Sequence, residues 1–239
     1  YPVANPNLAY EFCKGYYSRV TDRMHGRVTR LFITPLIRSL QLLVGPHPLL
    51  SFLDSFRYPL AGEFAMVRDL AWINRIPGDW GLEVGMLAEV YRNCALRRIC
   101  QADIADAYEH KHQTLSTHNP DAGLLKTCVD ITKSLFRNLA SEGLVLSEST
   151  LKTLRATYLQ AAQEAISRYE NDAAINSLRF DRHEERRAVE VFLRGMTLAT
   201  DSFLGDPLGV PMISNWSRVT HAVPDIFHRL MDAVEQDHA

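Results

Sequence analysis

Four short stretches of this sequence carry residue types at spacings that chemistry can use. The first is Gly26-Arg27-Val28-Thr29. Apolar residues recur at helical spacing from that point (Val28, Leu31, Phe32, Leu36, Leu40 and Leu43), so the stretch sits where a helix begins. A helix start offers unpaired amides and the positive end of the dipole, which suit a phosphate or carboxylate. Arg27 can add a charge-assisted contact and Thr29 a hydroxyl. Taken alone, an ordinary helix start with a surface arginine is the simpler reading. The second stretch is Leu60-Ala61-Gly62-Glu63, whose small residues let a ligand approach the backbone. It is read as preceding a helix, where Glu63 would equally favour the dipole. The third is Trp80-Gly81-Leu82-Glu83-Val84-Gly85. It places Glu83 in the first turn of an amphipathic helix, where a carboxylate can orient a hydroxyl or serve the dipole. The fourth is Tyr108-Glu109-His110-Lys111-His112-Gln113. In an extended segment His110 and His112 face the same side. A pair of histidines without further ligands is a weak metal signal, and no catalytic zinc is expected.

Other similarities to known motifs fail on inspection. His183-Glu184-Glu185-Arg186-Arg187 begins like the HExxH of zinc proteases but ends in arginine, so the second ligand is absent. It reads as a solvated helix face. The sequence has no P-loop and no GxGxxG.

The elements that must position these residues fall into two parts. A strand is expected over residues 8–20 and another over 95–104, running into a polar stretch at 106–120. Between them lie a helix from Val28, kinked or split at Pro35 and stopped by Gly45-Pro46-His47-Pro48, and a short helix over 49–56. Helices are also expected over Phe64–Ile73 and Gly81–Tyr91. Long helical patterns then dominate at 121–141, 148–170, 182–204 and 215–236. The strands are too few for a self-sufficient sheet and read as edge strands of a larger one.

Composition sets outer bounds. The chain has 239 residues, 46% of them hydrophobic and 23% charged, which is the make-up of a folded globular protein. With 26 basic and 28 acidic residues the net charge is −2, so no long-range field draws nucleic acid or an anionic membrane. No apolar run approaches the ~20 residues of a membrane span. Cys13, Cys94, Cys100 and Cys128 lack CxxC spacing and are expected to be free thiols in a reducing cytoplasm.

In order, GRVTRLF, PLAGEFA, WGLEVGMLAE and EHKHQ resemble the second half of glucosyl-3-phosphoglycerate synthases, retaining glycosyltransferases of the GT-A fold. The resemblance covers about residues 1–140. It implies an α/β chain: the C-terminal, acceptor- and metal-side portion of a GT-A catalytic domain over 1–140, followed by a mainly helical extension over 141–239. The implied activity is transfer of glucose from UDP- or GDP-glucose to 3-phosphoglycerate. Alternatives are transfer of mannose, an unphosphorylated glycerate acceptor, or a non-catalytic helical domain that forms dimers. By resemblance, Gly26, Arg27 and Thr29 would hold the acceptor phosphate. Leu60, Ala61 and Gly62 would line the sugar and acceptor pocket through the backbone, and Glu83 would bind glucose hydroxyls. His110 would ligate a divalent cation, Mg²⁺ or Mn²⁺. Lys111 and His112, which would bind substrate, stand where the family more usually has Arg-Asn; Lys111 keeps the basicity and His112 replaces the acceptor-contacting Asn. The partners implied are the two substrates and a second copy of the chain, with no nucleic acid or membrane. The family's nucleotide-binding half and its DxD motif have no counterpart here; the Asp-x-x-Asp of Asp103 and Asp106 lies downstream. The expectation is therefore a truncated transferase, inactive alone.

Overall fold

The structure, a computed structural model, describes residues 1–106 and 122–237. His110, Lys111 and His112 lie outside the described residues. Three strands form one small sheet: β1 (Phe12–Tyr17), β2 (Phe64–Met66) and β3 (Ile99–Ala105). β1 is central, antiparallel to β2 and parallel to β3. Cys13 stands opposite Cys100 in the parallel pair, and all four cysteines are unbridged. Phe64–Ile73 is not one helix: Phe64–Met66 pairs with Phe12–Lys14, and only Arg68–Ile73 (α3) is helical. The partner strand overrides a helical pattern because ladder hydrogen bonds and cross-strand packing exceed the small difference in propensity.

The helix that starts at Val28 begins as a π-helical turn over Val28–Ile33 and becomes α1 (Thr34–Val44). Pro35 explains the change. An α-helix would have the carbonyl of Leu31 accept from residue 35, and proline has no N–H to give. Instead Thr34 N–H reaches back to the Thr29 carbonyl, and the buried Tyr158 hydroxyl donates to the Leu31 carbonyl at 2.9 Å. Gly45, at φ 79°, ends α1, and α2 follows over Pro48–Asp54.

α4 (Leu82–Asn93) is capped at Gly81, whose amide donates to Asp79 Oδ1 at 2.8 Å. The long helices are α5 (Gly123–Ser141), α6 (Glu148–Ile175) and α7 (Arg182–Gly205). Side-chain caps start two of them: Ser147 accepts from Thr150 N–H and Asp181 from Glu184 N–H. Residues 215–236 are not one helix. They split into α8 (Trp216–Ala222) and α9 (Ile226–Asp237) around Pro224, which cannot continue a helix.

One hydrophobic core runs from Phe12 on β1 through Phe32 and Leu36 to Tyr158 on α6 and Phe192 on α7. The Phe32 and Phe192 rings stack at 5.2 Å, and Phe32 meets Tyr158 edge-on at 6.2 Å. The long helices therefore pack directly on the part of the chain that carries the sequence motifs. No described helix is long and apolar enough to cross a membrane.

Candidate functional site

The site is built around β1. Its alternation puts Phe12 and Lys14 on one face of the pleat, and Phe12 stacks on Phe64 of β2 at 5.9 Å. Lys14 is 1% exposed. Its ammonium donates to the carbonyl of Ala61 and lies 5.5 Å from the centre of the Phe64 ring. The lysine thus reaches the Leu60-Ala61-Gly62 turn that the sequence singles out. Burial pushes the Lys14 ammonium down to about 8, against the opposing fields of Glu83 and then Glu63.

The turn itself is tightly held on one side and open on the other. Ala61 is buried and its amide donates to the Tyr58 carbonyl at 3.2 Å. Gly15 N–H donates to the Glu63 carbonyl at 2.7 Å, and a Cβ on Gly15 would stand 3.0 Å from that carbonyl, so the approach needs glycine. A Cβ built on Gly62 meets nothing within 4 Å, which leaves its backbone approachable.

Glu83 lies in the first turn of α4, half-buried. Burial pushes its carboxyl above the usual range; its own backbone amide and the Lys14 ammonium pull it back, and Glu63 pushes it further up. Lys14, Glu63 and Glu83 therefore share one electrostatic neighbourhood. α4 is set in place by close contacts. A Cβ on Gly81 would stand 2.5 Å from Ser134 Cβ, and one on Gly85 would stand 2.3 Å from Pro77 Cγ. Buried Glu89 also accepts from the Arg75 amide and guanidinium and pairs with Arg92, which reaches Glu142 at 2.8 Å.

A second line of contacts runs toward Gly26. Tyr17 OH donates to Glu63 Oε2 at 3.2 Å, and its ring meets Tyr58 edge-on at 5.5 Å. Burial pushes the Tyr17 phenol well above its usual range, with Tyr58 and Glu63 adding to the shift. Arg19 Nη1 donates to Tyr58 OH at 2.5 Å. A Cβ on Gly26 (φ 74°) would be 3.6 Å from Arg19 Cδ. The Arg19 side chain thus links the helix-start motif to the Leu60-Ala61-Gly62 turn.

At the helix start, the amides of Thr29 and Arg30 both donate to the Gly26 carbonyl at 3.0 Å. Thr29 Oγ1 is buried without a hydrogen-bond partner among the described residues. Arg27 Nε donates to Glu185 Oε1 at 2.8 Å, and Arg30 Nη2 to Glu185 Oε2 at 3.0 Å. The side chain of Glu185 is 5% exposed and that of Arg27 33%. The reading of His183–Arg187 as a solvated face is therefore wrong at Glu185: this carboxylate is buried between two arginines of the motif. Both partners lie more than 150 residues away in the chain, and no local pattern marks such an ion pair.

Lys14, Arg19, Tyr58 and Glu185 are absent from the sequence-based set. For Lys14 a signal exists, since the pleat puts a charged residue on the same face as Phe12. Among the described residues no group of three or more His, Cys, Asp and Glu is placed to hold a metal ion.

No protein-family model matches the chain. A glucosyl-3-phosphoglycerate synthase of Persephonella marina is 51% identical over 239 residues, covering 100% of this chain and 59% of that protein. Another, of Methanococcoides burtonii, is 44% identical over 241 residues, covering 99% of this chain and 59% of that protein. Among solved structures, mannosyl-3-phosphoglycerate synthase of Rubrobacter xylanophilus aligns at TM-score 0.47 and 26% identity, over 62% of this chain and 43% of its own. The chain is a relative of the glucosyl-3-phosphoglycerate synthases along its whole length, and it spans about three-fifths of the curated proteins it matches.

Proposed function

We propose that this chain is the acceptor-side part of a retaining hexosyltransferase that moves glucose from UDP- or GDP-glucose to 3-phosphoglycerate, giving glucosyl-3-phosphoglycerate. The observation that carries this reading is the 51% identity to such a synthase over all 239 residues. The convergence of Ala61, Gly62, Glu63 and Glu83 around Lys14 supports it. On this reading residues 1–140 belong to the catalytic domain and 141–239 are a helical extension that completes the acceptor end through Glu185.

The acceptor phosphate sits at the start of the π-helical turn, where Gly26 and Arg27 meet it and the unpartnered Thr29 hydroxyl supplies a donor. Glu185 turns the Arg27 guanidinium toward a fixed direction by taking its Nε. The open side of Gly62 admits the sugar against the backbone, and Glu83 accepts hydrogen bonds from its hydroxyls. Holding donor and acceptor together in this way removes most of the entropic barrier to transfer. A divalent cation, Mg²⁺ or Mn²⁺, belongs to the reading through His110 and supplies charge neutralisation at the diphosphate when bound. The described residues offer it no cage, and none of the steps above runs through it. Lys111 and His112, which follow His110 in the chain, are assigned to substrate.

The test uses the full-length gene product with UDP- or GDP-glucose. Arg27→Ala is expected to lower kcat/KM for 3-phosphoglycerate on the order of 10- to 100-fold more than for glycerate, the value of a charged hydrogen bond. Equal losses on both acceptors, or no hexosyl transfer in the unsubstituted protein, would overturn the reading. The 239-residue chain alone is expected to be inactive in the same assay. A homodimer belongs to the proposal as well. The observation behind it is the exposed row Phe227, Leu230, Met231 and Val234 on α9, at helical spacing, and light scattering of Met231→Asp checks it.

A further inference from the structure

A lysine in the middle of a buried strand needs a reason. An apolar side chain of similar length would fill the same space without taking a charge out of water. Packing alone therefore does not call for Lys14. Its surroundings do. The Nζ atom donates to the Ala61 carbonyl, on the turn that lines the open side of Gly62. Two carboxylates bear on it, Glu83 from α4 and Glu63 from the residue before β2. Without a positive charge nearby, two partly buried carboxylates raise one another's pKa.

We propose that Lys14 is a positioning residue of the transfer site, whose ammonium fixes the Leu60-Ala61-Gly62 turn through the Ala61 carbonyl and keeps Glu83 ionised to accept from substrate hydroxyls. This rests on the hexosyltransferase reading. The charged groups that bear on this ammonium are Glu83 on α4 and Glu63 before β2; Tyr17 at the end of β1 and Arg19 just after it act on Glu63 and Tyr58. Tyr17 donates to Glu63, and Arg19 is engaged with Tyr58, which leaves Lys14 as the cation that bears on Glu83 among the described residues. A compact ammonium fits this task, because it is a point charge with three donors, one of which the Ala61 carbonyl takes.

The experiment compares Lys14→Met and Lys14→Arg with the unsubstituted full-length protein, as kcat/KM against pH with nucleotide-glucose and 3-phosphoglycerate. In Lys14→Met, kcat is expected to fall on the order of 10- to 100-fold with KM for the acceptor little changed. Its acid limb is expected to move up by about 1–3 pH units, as Glu83 loses its countercharge. Lys14→Arg keeps the charge and is expected to hold the acid limb near its original position. A uniform loss with no movement of the limb would mean a merely structural lysine and overturn the proposal. Should Lys14→Met fail to fold, carboxylate NMR of the unsubstituted protein, assigned with Glu83→Gln, decides the matter. The Glu83 resonance is expected to show a second inflection near the value of about 8 at which Lys14 loses its proton. A single inflection overturns the proposal. An unsubstituted protein without hexosyl transfer would remove the transferase reading, whereas the titration still decides whether Lys14 and Glu83 are coupled.

Discussion

Arg27 and Glu185 form an ion pair at 2.8 Å across a separation of 158 residues. The pair joins the helix-start motif to the first turn of α7, and Arg30 shares the same carboxylate at 3.0 Å. Glu185→Ala takes the carboxylate from the largely buried Arg30 and leaves Arg27 with Glu184 at 4.0 Å. Removing one member of a buried pair costs about 3–5 kcal/mol, and Arg27 is partly solvated, so about 2–4 kcal/mol is expected here. Urea denaturation of the variant measures it. Glu185→Gln retains an acceptor and is expected to lose less. A change within experimental error for Glu185→Ala would mean that α7 does not hold the motif.

Lys14 makes stability depend on pH with a definite sign. Its folded-state pKa is lowered from 10.5 to about 8, so the folded protein sheds this proton first. Between about 8 and 10 an unfolded Lys14 keeps the proton that the folded one has lost, so this residue's contribution to stability rises with pH by up to about 1.4 kcal/mol per unit. The thiols of Cys94, Cys100 and Cys128, pushed up by burial, act the other way above about 9, in the unsubstituted protein and in Lys14→Met alike. Tyr17, whose folded-state pKa is raised, acts in the opposite direction only above about 10. The difference between the urea midpoints of the unsubstituted protein and Lys14→Met is therefore expected to grow from pH 8 to 10 in favour of the lysine. A difference that stays flat would place the Lys14 ammonium in water.

Gly85 is expected to tolerate no side chain. A Cβ there would lie 2.3 Å from Pro77 Cγ, and the proline ring cannot rotate away. Gly85→Ala should cost about 1–3 kcal/mol through overpacking, even though alanine favours the helix. It should also shift the first turn of α4, and with it Glu83, so activity is expected to fall alongside the urea midpoint. Unchanged stability would show that the Pro77 loop yields freely.

Much of the architecture is legible in the residues. The apolar rows of α1, α4, α5, α6 and α7 have the helical period, and Gly45-Pro46 stops α1 where the pattern says. β1 falls inside the segment read as a strand, and β3 starts later than the second one and runs one residue past it. The misreadings have local causes. Phe64–Met66 pairs with β1 although its composition suits a helix, and Pro224 divides a run whose apolar spacing continues on either side of it.

The sequence by itself determined the helical periods, their stops, and the order of GRVT, PLAGE and GLEVG. These are local properties, set by side-chain period, by glycine and proline, and by residue types a few positions apart. Only the tertiary structure decided that Lys14 of β1 serves the Ala61 carbonyl, that Arg19 reaches Tyr58, and that Glu185 closes on Arg27. Each of those contacts joins residues 39 or more positions apart, and what selects them is the burial of charge. A charge taken out of water must find its partner wherever the packed chain brings one, and no spacing along the sequence records where that is.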